Sequence, residues 1–181
     1  IELLNYKNSQ TKKTISFKGT HSNNKTIFKS LALEEDDNEI KIKNLTIKDK
    51  LKIDGFDNII LNYLDNDNKR NEVTLKRSNK VYLIKGKSFN ANQLIQNLID
   101  NTEDKSFMNK NIKLDLAIEK IFFDKENAIN DLKGELYFRN NELYKGDLKA
   151  YFSNDKELKF TVTSNGGTKV TTLFLDEAEP L

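Results

Sequence analysis

Few side chains in this chain of 181 residues have the types and spacing that chemistry needs. There is one histidine, His21, and no cysteine. The absence of cysteine excludes a disulfide, a thiol nucleophile and a thiolate metal site. A Ser-His-Asp arrangement would have to use His21. No G-x-S-x-G elbow accompanies it, and it lies in the polar run Lys18 to Asn24, which reads as a turn cluster. A solvated turn residue is expected. Asp65-Asn66-Asp67-Asn68 opens like a calcium loop, but Lys69 and Lys76 stand at the fifth and twelfth ligand positions. A polar hairpin tip is the better reading. Glu34 to Asp37 could hold a hard cation, yet a charge run between strands is expected to be a solvated loop. Asp115 and Glu119 could do acid–base work as a pair. On one strand they would stand about 13 Å apart at ~3.3 Å per residue, too far unless a neighbouring strand supplies the partner. Neither a helix nor a Lys-Ser/Thr pair follows Gly166-Gly167, so these form a hairpin turn and not a phosphate loop. No catalytic residue, metal ligand or cofactor is assigned, and an enzyme is not expected.

Composition narrows the classes further. Hydrophobic residues make up 36% of the chain and the mean hydropathy is -0.70. Strands with one wet face account for this, because alternation needs only half its residues apolar. The 30 basic and 28 acidic residues are interspersed. That argues against nucleic acid, which needs a concentrated basic face. No apolar run reaches membrane-spanning length. The heavy use of Lys, Asn and Ile is compatible with an AT-rich genome. The chain starts at Ile1 and not at Met, so a fragment of a longer protein is expected. It reads as a single β-rich domain over 1–181, with N-terminal strands in 1–70 and a second segment in 71–181.

The elements that would position these residues are mostly strands. In the first third Glu2 to Tyr6, Thr14 to Lys18 and Thr26 to Leu33 alternate in part. Ile40 and Ile42 lead to Leu45 and Ile47 with a phase slip at Asn44, which marks a bulge or bend. In the middle third Phe56 to Leu64, Asn71 to Arg77 and Lys80 to Lys85 are strands, with Asp65 to Lys69 as a loop. Gly86 and Ser88 punctuate the last of these, and Ser88 or Asn90 can cap a helix. Ala91, Leu94, Ile95, Leu98 and Ile99 form the stripe of that helix, over about 90–100. It is short enough to need a docking surface. A patch of Val73, Leu75 and Leu83, or the sheet just after it, is the expected one. Asn101 to Asn111 is a polar connector with Phe107 and Met108 as anchors. The last third alternates most cleanly, with hairpins at Arg139 to Asn141, Ser153 to Asp155 and Asn165 to Gly167. The expected fold is mainly β: an antiparallel up-and-down meander forming a curved, groove-like sheet with one short helix.

In that meander Leu114, Leu116, Ile118, Leu136, Phe138, Leu148, Ala150, Phe152, Phe160 and Val162 share one side. A helix about 10 Å wide covers three or four strands at ~4.8 Å spacing, and about twelve strands are expected. Either the sheet folds on itself over a closed core, or part of this face is an open binding groove.

The stretch N-E-V-T-L-K-R-S-N-K-V-Y-L-I-K-G-K-S-F-N-A-N-Q-L-I-Q-N-L-I resembles a strand pair, a Gly and S-F-D-A-x-x-L-L-x-x-L of the AsmA-like family of bacterial envelope proteins (the AsmA, TamB and YhdP type). I-K-L-D-L-A-I-E-K-I-F-F, L-K-G-E-L-Y-F-R-N-N-E-L and the closing strand pair are similar to it too. Glu179 stands where the family pattern ends in Gly. The resemblance covers residues 71–181. It implies a periplasmic protein anchored in the inner membrane, with the anchor outside this chain. It also implies a sheet curled into an apolar groove that handles phospholipid in transport or outer-membrane maintenance. Acyl chains would then lie along Leu116, Leu136, Phe138, Phe152 and Phe160, with no covalent chemistry. The alternative is a structural or adhesive β-module that binds a protein partner.

Overall fold

The computed structural model describes residues 4–8, 13–48, 52–92, 111–124, 126–139, 142–152, 155–165 and 167–176. The alternating pattern is realised as thirteen strands in one sheet. They are β1 (Leu4–Asn8), β2 (Lys13–Ser22), β3 (Lys25–Glu35), β4 (Asn38–Lys48), β5 (Lys52–Gly55), β6 (Asn58–Leu64) and β7 (Arg70–Ser78). Then come β8 (Val81–Asn90), β9 (Ile112–Phe122), β10 (Ala128–Arg139), β11 (Glu142–Tyr151), β12 (Glu157–Asn165) and β13 (Thr168–Leu175). Spatial order follows chain order, except that β4 pairs with both β5 and β6.

The strands run longer and the turns are tighter than the polar clusters suggest. β2 extends through His21 to Ser22, and the turn is only Asn23-Asn24, whose φ values of 47° and 58° suit the hairpin turn that matches sheet twist. The acidic run likewise shrinks to Asp36-Asp37, with Glu34 and Glu35 inside β3. They pair with Lys41 at 3.4 Å and Lys13 at 3.1 Å. The phase slip expected at Asn44 is present. Asn44 has φ 53°, and its amide donates to Asp57 Oδ2 at 2.6 Å. Asp57 sits in the gap between β5 and β6, which run along β4 in the same register (Thr46 opposite Gly55, Lys43 opposite Asn58). These two are one strand with a bulged break, and Asp54-Gly55 belongs to β5.

The meander breaks once. β8 and β9 are parallel, with Ile84 opposite Leu116. A parallel return needs a crossover of a dozen residues or more, usually helical. Residues 91–111 supply it. The expected helix, apart from Ala91 and Asn92, lies outside the described residues, as do Phe107 and Met108. Of the two cap candidates, Asn90 accepts the Asn92 N–H on Oδ1 at 3.1 Å. Ser88 does something else, donating to the Arg70 carbonyl at 2.6 Å. Gly86 does not end β8. It stands at a bulge in β8, where Val73 pairs with Gly86 and Glu72 with Ser88, and a Cβ there would come within 2.3 Å of the Glu72 carbonyl oxygen.

Buried hydrophobic side chains among the described residues are Leu45, Val73, Ala91, Ile118, Ile121, Leu132, Ala150 and Val162. Ala91, Ile118, Ile121, Leu132 and Ala150 form a cluster against which Ile84, Leu116, Leu148 and Leu158 pack. This core lies where the crossover leaves β8, and Ala91 N–H is bonded to the Phe122 carbonyl at 2.7 Å.

Candidate functional site

Residues opposed across a ladder share a face, so the registers trace rows across the sheet. One row runs Phe17, Leu31, Ile42, Ile59, Leu75, Ile84, Leu116, Gly134, Leu148, Phe160, Leu173. It crosses every strand from β2 to β13 apart from β5, roughly 48 Å at ~4.8 Å per strand. A second row runs beside it through Ile15, Leu33, Ile40, Leu61, Val73, Gly86, Ile118 and Leu132. The apolar face is therefore continuous from β2 to β13. Its side chains are mostly half-buried, and Ile15 and Leu33 are exposed.

The five residues expected to line a groove are all half-buried. Leu116 and Phe160 lie in the first row. Leu136 lies between Leu114 and Gly146 in the next one. A Cβ on Gly146 would stand 3.0 Å from Leu136 Cδ2 and 3.5 Å from Phe160 Cε1. The missing side chain thus lets Leu136 and Phe160 approach over β11. Phe138 lies opposite Ile112 and Leu143 near the start of β11. Phe152 lies past the other end of β11, its N–H bonded to the Lys156 carbonyl at 2.9 Å. At ~3.3 Å per residue these two ends are about 30 Å apart. Leu116, Leu136 and Phe160 are brought together, while Phe138 and Phe152 flank them at opposite ends. Sequence reasoning confined the face to residues after 113 and missed Phe17, Leu31, Ile42, Ile59, Leu75 and Ile84. Their alternation was visible, but not that their strands join the same row.

One expected patch is not formed. Leu83 stands opposite Lys76, whereas Val73 and Leu75 stand opposite Gly86 and Ile84. Leu83 is on the other face, so Val73, Leu75 and Leu83 cannot dock a single helix.

That other face is polar and ion-paired. Asp115 stands opposite Glu135, so the neighbouring strand does supply a second carboxylate. Lys113 bonds to Glu135 and lies 3.6 Å from Asp115, and the Tyr137 hydroxyl donates to Glu135 at 2.7 Å. The hydrogen bond from Lys113 holds Glu135 below the usual glutamate value, and Glu135 raises Lys113 above the usual lysine value. Glu135 is thus engaged by both Lys113 and Tyr137, with Asp115 beside the same ammonium. A depression of about 760 Å³ crosses this face from β4 to β10. It is lined by Ile60, Asn62, Thr74 and Ala117, with Glu72 and Lys85 among its charged residues. Elsewhere His21 is exposed, with Nδ1 2.8 Å from Thr26 Oγ1. Among the described residues no group of three or more His, Asp or Glu could hold a metal ion.

Comparison with protein-family models, with characterised proteins and with solved structures finds no match to this chain.

Proposed function

We propose that the apolar face is a trough for phospholipid acyl chains, as the resemblance to AsmA-like envelope proteins implies. In this reading the chain is part of a periplasmic protein held at the inner membrane by an anchor outside these residues. The observation that supports it is the unbroken apolar row from Phe17 to Leu173, whose members remain half-exposed beside a small buried core. A face of this extent on a single sheet layer gains about 25 cal/mol for each Å² removed from water. Leu116, Leu136 and Phe160 form the centre of the trough, and Phe138 and Phe152 lie towards its two ends. Binding is transfer from water without covalent chemistry.

Organic extraction and mass spectrometry of the purified protein test this reading. Phospholipid is expected to co-purify. A lipid-free preparation that also fails to bind a fluorescent fatty acid would overturn it. The alternative, a β-module for a protein partner, draws on the exposed strand β13, and predicts that a dye responsive to apolar sites stays dark.

A further inference from the structure

β13 is the last strand of the sheet among the described residues, and none of these pairs with its outer edge. The register shows which backbone groups face outward. The Asp176 N–H donates to the Glu157 carbonyl at 3.0 Å, and bonded pairs recur at every second residue of an antiparallel ladder. Thr172 and Phe174 therefore bond to Thr161 and Lys159. The N–H and C=O groups of Lys169, Thr171, Leu173 and Leu175 point away from β12.

Sheet proteins normally protect such an edge with charges, proline or a bulge. β13 (TKVTTLFL) has no proline, one charge at Lys169, and no register shift against β12. Val170, Leu173 and Phe174 are 55%, 57% and 52% exposed.

We propose that β13 pairs antiparallel with β13 of a second copy of this chain, about a two-fold axis at Thr172. The strand's own pattern singles out a second copy. A two-fold normal to the sheet keeps like faces together, so opposed residues must be an even number apart. With Thr172 on the axis, each Val170 stands opposite the other copy's Phe174 on the polar face. Thr171 stands opposite Leu173 on the apolar face, and Lys169 opposite Leu175. Exposed apolar side chains meet twice, no like charges are opposed, and every outward backbone group finds a partner. Centring on Thr171 instead would place Phe174 against Thr168 and lose both apolar pairs. The two apolar faces would lie on one side of the joined sheet. The inference does not depend on what that face binds.

Sedimentation of the whole chain should give twice the single-chain mass of 21.0 kDa. Thr171→Pro removes an N–H that has no partner among the described residues, so it should return the mass to 21.0 kDa with an unchanged melt. The chain has no cysteine, so single-cysteine variants report the register directly. Across the axis, the two Thr172 form a non-bonded pair with Cα atoms ~4.5 Å apart, within disulfide reach. Under oxidation Thr172→Cys should cross-link two copies and Lys169→Cys should not. A single-chain mass at high concentration would overturn the proposal, as would a dimer that survives Thr171→Pro. If Thr171→Pro fails to fold, the cysteine pair decides, and equal cross-linking of the two variants counts against the register.

Discussion

Asn71 is 1% exposed, and each of its side-chain polar atoms is used. Its amide donates to Asp65 Oδ2 at 3.1 Å and the Lys69 carbonyl at 3.2 Å, while its oxygen accepts the Asn90 N–H at 2.8 Å. Asp65 also accepts the N–H groups of Asp67 and Lys69, both at 2.9 Å, and the Asn90 amide at 2.8 Å. The acidic tip that mimics a calcium loop is thus closed by protein donors, which also tie it to the start of the crossover. Desolvation pushes the Asp65 carboxyl up, but hydrogen bonds from Lys69, Asn90, Asn71 and Asp67 outweigh it and hold it below the ordinary value of 3.8. A lowered folded pKa means that this stabilisation is complete above the ordinary aspartate range and is lost as pH falls through the folded value. Asn71→Ala is expected to cost about 1–3 kcal/mol in urea unfolding at neutral pH. Asp65→Asn should flatten the loss of stability below about pH 4. A variant whose acid profile overlays the parent would remove Asp65 from this account. The tip was legible in the sequence. Its convergence with Asn71 and Asn90, from the edges of β7 and β8, was not, because only the register places them together.

At the scale of elements, strands β10 and β11 show how close approach depends on glycine. Gly134 has φ 144°, and a Cβ there would stand 2.0 Å from the Asp147 carbonyl oxygen. Gly167 has φ 88° in the last hairpin, with nothing within 4 Å. Both backbones disfavour an L side chain, but only the first would also force β10 and β11 apart. Gly134→Ala is expected to cost roughly 3 kcal/mol or more, counting strain of ~1–3 kcal/mol and the clash. At ~2–4 °C per kcal/mol this lowers Tm by about 6–12 °C. Gly167→Ala should cost about 1–2 kcal/mol. Equal melting temperatures for the two would show that β11 yields to the added methyl. The alternation of Leu132, Leu136 and Phe138 identified β10 from sequence. The parallel pairing of β8 with β9 was not foreseen, because a local pattern does not say which way the next strand runs.

For the whole molecule, one layer of strands carries one apolar and one charged face, and the two predict different responses to the same substitution. Phe160 lies between Leu148 and Leu173 on the apolar face, whereas Thr163 is exposed on the other. Burying a phenylalanine side chain is worth ~1.5–3 kcal/mol. Under the proposed function Phe160→Asp should therefore weaken fatty-acid binding roughly 10- to 100-fold, at ~1.4 kcal/mol per tenfold. Thr163→Asp should leave it unchanged. Fluorescence titration of both variants checks this, and equal affinities would move the ligand off the apolar face.

The residue pattern alone determined that this chain is built of strands, where most of them turn, and which side of the later ones is apolar. These are local properties. Side chains alternate with a period of two, and Asn-Gly and Asp-Asn runs favour the backbone that reverses a hairpin. Tertiary structure decided how the strands join. It put Leu83 behind Val73 and Leu75, set Lys113 between Asp115 and Glu135, and merged the apolar stripes of β2 to β13 into one face. Register arises from pairings between distant segments and from bulges at residues such as Asn44 and Gly86. A slip of a single residue would exchange the two faces of a strand.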